Sequence, residues 1–376
     1  MVEMDSMKPL ILTCNTGEGH NSVSAAVREA FAQRNLSCGV ADALSFLSER
    51  ASEFICSWHV RIYRYIPKAF RSGYRYVEEH PATYEENTLL HKFLVSGADK
   101  LWEYVSANGY DCFICPHVFA ALMVTQMLKE HPIPGARSCF IATDYTCSPM
   151  VGECRVDFFF VPDASTVPEF LAAGLPAERI VPVSGIPVRQ AFCSRTPKAE
   201  ARAQLGLPAQ GAHLLMMCGS MGCGPMAELT DLLAASLPAG AVLSVVCGTN
   251  ERLEKKLLRE YQDRPEIRVL GYTDRVSLLM DSADLYLTKP GGISTAEAAA
   301  KGLPLVLVDA VAGCEEYNLR YFCAQGGAVT AGTPEELAAL TTSLLADPAR
   351  LAQMAARIRK PGNAAGEICS RMTGLS

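Results

Sequence analysis

The sequence predicts an α/β fold of two doubly wound, Rossmann-like domains facing each other across a cleft. Three observations carry that expectation. Short apolar runs alternate with helix-length segments along the chain, the signature of a parallel sheet covered on both faces. The 376 residues, 49% of them hydrophobic, suffice for two domains that each bury a core. The alternation is broken by one polar, Pro-containing stretch, CSRTPKAEARAQLGLP, from Cys193 to Pro208.

Before that break, strands are expected near Leu10 to Cys14, Cys112 to Cys115, Cys139 to Ala142 and Phe158 to Val161. After it, they are expected at His213 to Cys218, Val242 to Cys247, Ile267 to Leu270, Leu285 to Thr288 and Leu305 to Val308. The expected domains are therefore 1–193 and 194–350, with a helical tail, 351–376, packing back on the N-terminal domain. The halves share only general βα character, so no internal repeat is claimed.

Composition excludes several function classes. A formal net charge of −6 argues against a nucleic-acid binder, which needs a basic surface to displace counterions. The fifteen cysteines sit singly inside apolar runs, as Cys14, Cys139, Cys218 and Cys247 do, which is the placement of buried free thiols in a reducing compartment. The start MVEMDSMKP carries two acids before a run too short for a signal peptide, and nothing approaches eighteen apolar residues, so a cytoplasmic location is expected. CFICPH places Cys112, Cys115 and His117 at metal-compatible spacing, but a structural zinc needs a second ligand pair and no second CxxC exists. The segment reads as a buried strand, and no bound metal is expected.

Two kinds of glycine loop carry the chemistry. In LILTCNTGEGHNSVSAA, Gly17 and Gly19 form a turn between strand and helix. Lysine and a hydroxyl residue do not follow as in a P-loop, and Ser22 and Glu18 spoil the dinucleotide fingerprint. What remains is a turn lifting His20 to the C-terminal edge of the sheet, where open α/β folds place ligands. The helix dipole there favours a neutral imidazole able to accept a proton. A catalytic base and a surface helix cap both fit His20 at this point.

In TKPGGISTAEAAAKGLPLVLVD, Thr288 to Asp309, a strand ends, Pro290, Gly291 and Gly292 turn, and a helix is expected from about Thr295 to Lys301. Its N-terminal N–H groups suit a diphosphate bound without a metal. Ser294 and Glu297 also match a capping box, in which the glutamate only holds a backbone amide. A second glycine turn, CGSMGCG from Cys218, opens another helix, and two such loops suggest a nucleotide diphosphate sugar.

These motifs, with GIPVRQAF at Gly185, CGTNERLEKKL at Cys247, VLGYTDRVSLLMDSADLYLTKPGG at Val269 and AGCEEYN at Ala312, resemble the GT-B glycosyltransferases of the monogalactosyldiacylglycerol synthase and processive diacylglycerol glucosyltransferase group, relatives of the enzyme that builds lipid II. The resemblance covers most of the chain. It implies that the N-terminal domain holds a lipid acceptor and the C-terminal domain a UDP-sugar, with UDP-sugar as the donor substrate and no cofactor. His20 matches the family's proposed general base. Gly271 and Tyr272 would lie against the uracil, Glu297 on the ribose hydroxyls, and Gly291, Gly292, Ser294 and Thr295 around the diphosphate. Gly219, Gly222 and Gly248 belong to the same donor loops, and Glu315 and Asn318 match a donor-sugar block usually written PGQE-x-x-N.

Cys314 replaces that block's glutamine, which leaves the sugar open. TDYTCSPMVGE, from Thr143, lacks the His-x-x-Trp of many relatives, which leaves the acceptor open. Asp144 in that segment could orient His20, bind the acceptor hydroxyl, or serve a turn.

The expected function is inverting transfer of a hexose from a UDP-sugar to a membrane lipid such as diacylglycerol. Transfer of N-acetylglucosamine to a polyprenyl-linked or lipopolysaccharide-type acceptor is the alternative, and a non-catalytic nucleotide-sugar binder stands as a reading of another class. The sequence contains no D-x-D pair, so a metal-bridged diphosphate is not expected. The segment FICSWHVRIYRYIPKAFRSGYRYV, from Phe54 to Val77, has no Asp or Glu. Its Arg61, Arg64, Lys68, Arg71 and Arg75 recur at three- and four-residue steps, the pattern of an amphipathic helix on an anionic membrane surface. Pro67 divides it, and a core-packed helix pair with a basic solvated face fits the same pattern.

Overall fold

The computed structural model describes residues 7–15, 18–47, 73, 76, 79–80, 84–86, 88–308, 313–360 and 363–374. It divides into two compact units. One comprises Met1–Arg189, Val311–Cys314 and Gly362–Ser376, the other Gln190–Ala310 and Glu315–Pro361. The stretch after residue 350 is thus shared: helix Pro348–Ile358 lies in the second unit and helix Ala364–Thr373 in the first.

The first unit is built on strands β1 (Pro9–Thr13), β2 (Gly39–Asp42), β3 (Cys112–Cys115), β4 (Arg137–Ile141), β5 (Phe158–Val161) and β6 (Ile180–Pro182). They form one parallel sheet in the order β2-β1-β3-β4-β5-β6. Every residue of β1 and β3 is buried, as a strand covered on both faces requires. Leu10, Leu12, Phe113, Cys115, Phe159 and Val161 belong to the core on one side.

Helix Ala364–Thr373 packs on helix Glu18–Ala32. Arg34 clamps it by donating to the Gly366 carbonyl at 3.2 Å and to Ser370 Oγ at 2.6 Å. Arg137 donates to the Met372 carbonyl at 2.8 Å.

The second unit repeats the plan with β7 (His213–Met216), β8 (Val242–Val246), β9 (Ile267–Leu270), β10 (Leu285–Thr288), β11 (Leu305–Leu307) and β12 (Ala328–Thr330). The order is β12-β11-β10-β7-β8-β9, all parallel. Leu214, Met216, Leu243, Val245, Leu285, Leu287 and Val306 fill its core.

All expected strands form, with ends displaced by up to two residues. Among the described residues three more are present, β2, β6 and β12, each at an edge of its sheet. Their part-exposed residues leave no continuous apolar run to read. The helix expected from Thr295 instead begins at Gly292, capped by the Gly291 backbone with no side-chain bond.

The described cysteines are free thiols, most of them buried, and burial pushes the Cys218 thiol up to about 12. Among the described residues no helix is long and apolar enough to cross a membrane.

Candidate functional site

In an open parallel sheet, ligands collect beyond the C-terminal strand ends where the chain order reverses. In the first unit that point lies between β1 and β3. β1 leads into the loop that precedes helix Glu18–Ala32, and His20 is the third residue of that helix. β3 leads through Pro116 to His117, which caps helix Val118–Glu130 by accepting from the Phe119 amide at 3.1 Å.

The two loops meet: His20 Nδ1 lies 2.8 Å from the Pro116 carbonyl oxygen, and the His20 and His117 rings meet edge to face at 4.5 Å. A carbonyl can only accept, so Nδ1 carries the proton and the lone pair is on Nε2. That is the tautomer a base needs.

The loop beneath is held by side chains. Thr13 donates to Asn21 Oδ1 at 2.8 Å, Asn21 to Asn15 at 3.1 Å, and Asn15 to Asp42 at 2.7 Å. Ser24 donates to the His20 carbonyl at 2.8 Å. Gly19 is the second residue of the helix and half-buried, and Gly17 lies outside the described residues. Asp144 stands half-buried in the turn after β4, the neighbour of β3.

In the second unit the reversal falls between β7 and β10. Here β10 runs through Lys289, Pro290 and Gly291 into helix Gly292–Lys301. The N–H groups of Gly292, Ile293 and Ser294 find no acceptor within the helix, whereas the Thr295 amide already bonds the Gly291 carbonyl at 3.1 Å. Ser294 is therefore inside the first turn, and the capping box expected with Glu297 does not exist. The cause is the earlier helix start, which leaves Gly291 as the cap. Glu297 is buried on this helix.

Thr295 is fully buried, and its hydroxyl donates to the Gly291 and Gly292 carbonyls at 2.9 and 3.0 Å, which stiffens the turn before the helix. Asn318 is likewise fully buried and donates to the Pro290 carbonyl at 3.0 Å, bracing the same turn.

Glu315, almost buried, accepts from Lys289 Nζ at 2.8 Å. Lys289 is a functional candidate that sequence reasoning missed. It follows four buried strand residues directly and precedes the glycine turn, and that position was its signal. Gly219 makes room for it, because a Cβ there would stand 2.9 Å from Lys289 Cε.

The loops after β7 and β8 pack back to back. Thr249 N bonds the Ser220 carbonyl at 2.8 Å, and Asn250 Nδ2 the Gly222 carbonyl at 2.9 Å. Gly222 (φ +54°) and Gly248 (φ +58°) permit that approach: a Cβ would lie 2.2 Å from the Cys247 carbonyl oxygen in the first case and 2.1 Å from that of Ser220 in the second. Gly271 follows β9 with its Cα against the Glu254 carboxylate, where a Cβ would meet Oε2 at 2.6 Å. Tyr272 next to it is 76% exposed, an unusual position for an aromatic ring and one suited to stacking. Arg61, Arg64, Lys68, Arg71 and Arg75 lie outside the described residues.

Both units are similar to known proteins. Residues 20–188, in the first unit, match the family described as monogalactosyldiacylglycerol (MGDG) synthase, and residues 231–361 match glycosyl transferases group 1. A processive diacylglycerol beta-glucosyltransferase of Staphylococcus epidermidis is 26% identical over 98% of this chain and 93% of that protein. One from Bacillus cereus is 28% identical over 92% of this chain and 88% of that protein. Among solved structures, Acinetobacter baumannii MurG matches the fold with a TM-score of 0.67 at 16% identity, over 98% of this chain and 99% of that one.

Proposed function

We propose, from the premise that the chain belongs to the GT-B glycosyltransferases joining a monogalactosyldiacylglycerol synthase domain to a glycosyl transferases group 1 domain, that it moves a hexose from a UDP-sugar to a membrane lipid such as diacylglycerol with inversion at the anomeric carbon. The observation that carries this reading is the locked His20 tautomer at the first strand-order reversal. An acceptor hydroxyl attacks the anomeric carbon, His20 Nε2 takes its proton, and the bond from that carbon to the β-phosphate oxygen breaks. UDP leaves with the electron pair.

The second unit supplies what the leaving group needs. Three N–H groups at one helix start and the Lys289 ammonium suit a diphosphate whose charge grows during bond breaking, with no metal required. Glu297 suits the ribose hydroxyls, and Gly271 and Tyr272 the uracil. Asp144 is assigned to the acceptor side, orienting His20 or the incoming hydroxyl. The basic segment from Phe54 to Val77 is the contact with anionic lipid at the inner face of the cell membrane.

The test is turnover of UDP-glucose, UDP-galactose and UDP-N-acetylglucosamine on diacylglycerol vesicles in the presence of EDTA, with the anomer read by NMR. A β-glycosyl diacylglycerol is expected. Product only from a polyprenyl acceptor would move the reading to N-acetylglucosaminyl transfer, and UDP binding without any turnover would make the chain a nucleotide-sugar binder.

His20→Ala is expected to keep UDP affinity and lose roughly 10²-fold or more in kcat, the usual scale for a general base. Wild-type turnover in that variant would leave the first loop merely structural.

A further inference from the structure

We propose that the second unit carries a further ligand site, at the edge of its sheet opposite the donor loops, built for an oxyanion (a carboxylate or a phosphate) carried on a short apolar body. The inference goes beyond the glycosyl-transfer reading and uses none of the residues assigned to it.

The site is a cavity of about 760 Å³, within the size range of small-molecule pockets. Its walls include Ala212, Asp284 and Pro304, which stand just before β7, β10 and β11. In this parallel sheet those are the N-terminal strand ends, whereas the glycine loops leave the C-terminal ends. A ligand in the cavity therefore meets none of the donor loops.

One side of the cavity is apolar. Leu303 and Leu345 are buried in its wall. Helix Pro348–Ile358 buries Leu351 and Met354 but also meets the cavity with Ala352 and Ala355, whose short side chains leave the space unfilled.

The other side is positive, in a chain whose net charge is −6. Arg195, Lys198 and Lys301 line it against Asp281 and Asp284. Both carboxylates are already employed. Asp281 accepts from Lys301 Nζ at 2.8 Å and from the Thr196 amide at 3.1 Å. Asp284 accepts from Lys198, from Arg202 Nη2 at 3.0 Å and from the His213 amide at 2.8 Å.

Arg195 is the charge left over, with no ion pair among the described residues. It lies over Gly302, where a Cβ would stand 2.9 Å from Arg195 Nη2 and 3.5 Å from Arg359 Cβ. Partial desolvation, then the charge of Arg359, holds the Arg195 pKa below its ordinary value. Two like charges held close favour an anion between them, and the guanidinium fork matches two oxygens of a carboxylate or phosphate. A cation on one side and carbon on the other select an amphipathic anion: a bare inorganic ion would leave the apolar wall wet.

Gly302 is also the C-cap of helix Gly292–Lys301, where the helix dipole favours a cation. Capping alone gives Arg195 a use without any ligand, so the experiment must separate the two. Calorimetric titration with octyl phosphate and with octanoate, each below its micellar concentration, should show saturable binding of one molecule per chain. Inorganic phosphate should bind at least tenfold more weakly, and saturating UDP should leave the affinity unchanged.

Arg195→Gln should weaken both amphiphiles about tenfold or more, as loss of a charged bond does. Ala352→Trp, which fills the apolar side from an exposed helix position, should abolish binding. UDP affinity, unchanged in both variants, reports that the unit is folded. Absence of saturable binding, or binding unchanged in either variant, would overturn the proposal and leave Arg195 as a helix partner alone. Inorganic phosphate binding as tightly as octyl phosphate would overturn the apolar body, and 1-octanol binding as tightly would overturn the anion.

Discussion

Lowering the pH should destabilise the second unit through one buried group, His213. This residue opens β7, is 1% exposed, and is bonded on both ring nitrogens. Ser282 Oγ donates to the Leu279 carbonyl at 2.8 Å and so accepts from His213 Nδ1, 3.0 Å away. Nε2, 2.9 Å from Ser244 Oγ, then accepts from that hydroxyl.

The arrangement stabilises the neutral ring. Burial, ahead of the charge of Arg202, holds its pKa down at about 4, against 6.5 for an ordinary histidine. Between those values the unfolded chain binds a proton that the folded unit refuses. Stability is therefore whole above pH 6.5 and is lost as pH falls toward 4. The difference of 2.5 units, at about 1.36 kcal/mol each, is on the order of 3 kcal/mol.

The assay is hydrogen exchange of the β7 and β8 amides, which isolates this unit where a whole-chain melt would not. His213→Gln should cost stability at neutral pH by disturbing the Ser244 and Ser282 bonds, and should flatten the pH dependence between 6.5 and 4. If wild type and variant lose protection in parallel over that window, the buried ring is not what titrates.

Three other outcomes follow from the geometry. Glu297→Gln should weaken UDP binding several-fold, as loss of a charged hydrogen bond does; calorimetry with UDP checks it. Gly248→Ala puts a methyl group 2.1 Å from the Ser220 carbonyl at φ +58°, so the paired loops must separate. UDP affinity should fall at least tenfold in titration, and wild-type affinity would show that the two loops need not touch. Sedimentation with anionic vesicles should fall steeply with salt and in the pair Arg64→Glu and Arg71→Glu, each cation contributing about 1 kcal/mol, with UDP affinity intact; salt-insensitive binding would return the segment to ordinary core.

What the sequence determined by itself is local. Strands buried on both faces are continuous apolar runs, so β1, β3, β5, β7, β8 and β10 could be read directly, and glycine turns at their ends marked where ligands belong. The edge strands β2, β6 and β12 could not, because half-exposed strands have no such run. The fold class and the candidate base at His20 were legible for the same local reason.

Tertiary structure decided everything that depends on pairing between distant segments. Only the pairing of β1 with β3, residues about a hundred apart, brings Pro116 and His117 to His20 and chooses the imidazole tautomer. Only the pairing of β7 with β10 sets Lys289 beside Gly219, only the helix start at Gly292 turns Thr295 onto the glycine turn, and only the packing of helix Cys314–Ala324 brings Asn318 to the Pro290 carbonyl. A motif records which residue types are present. Which way each side chain faces is fixed by where its helix begins and which strand lies alongside, and the free energy that fixes it is burial spread over the whole sheet.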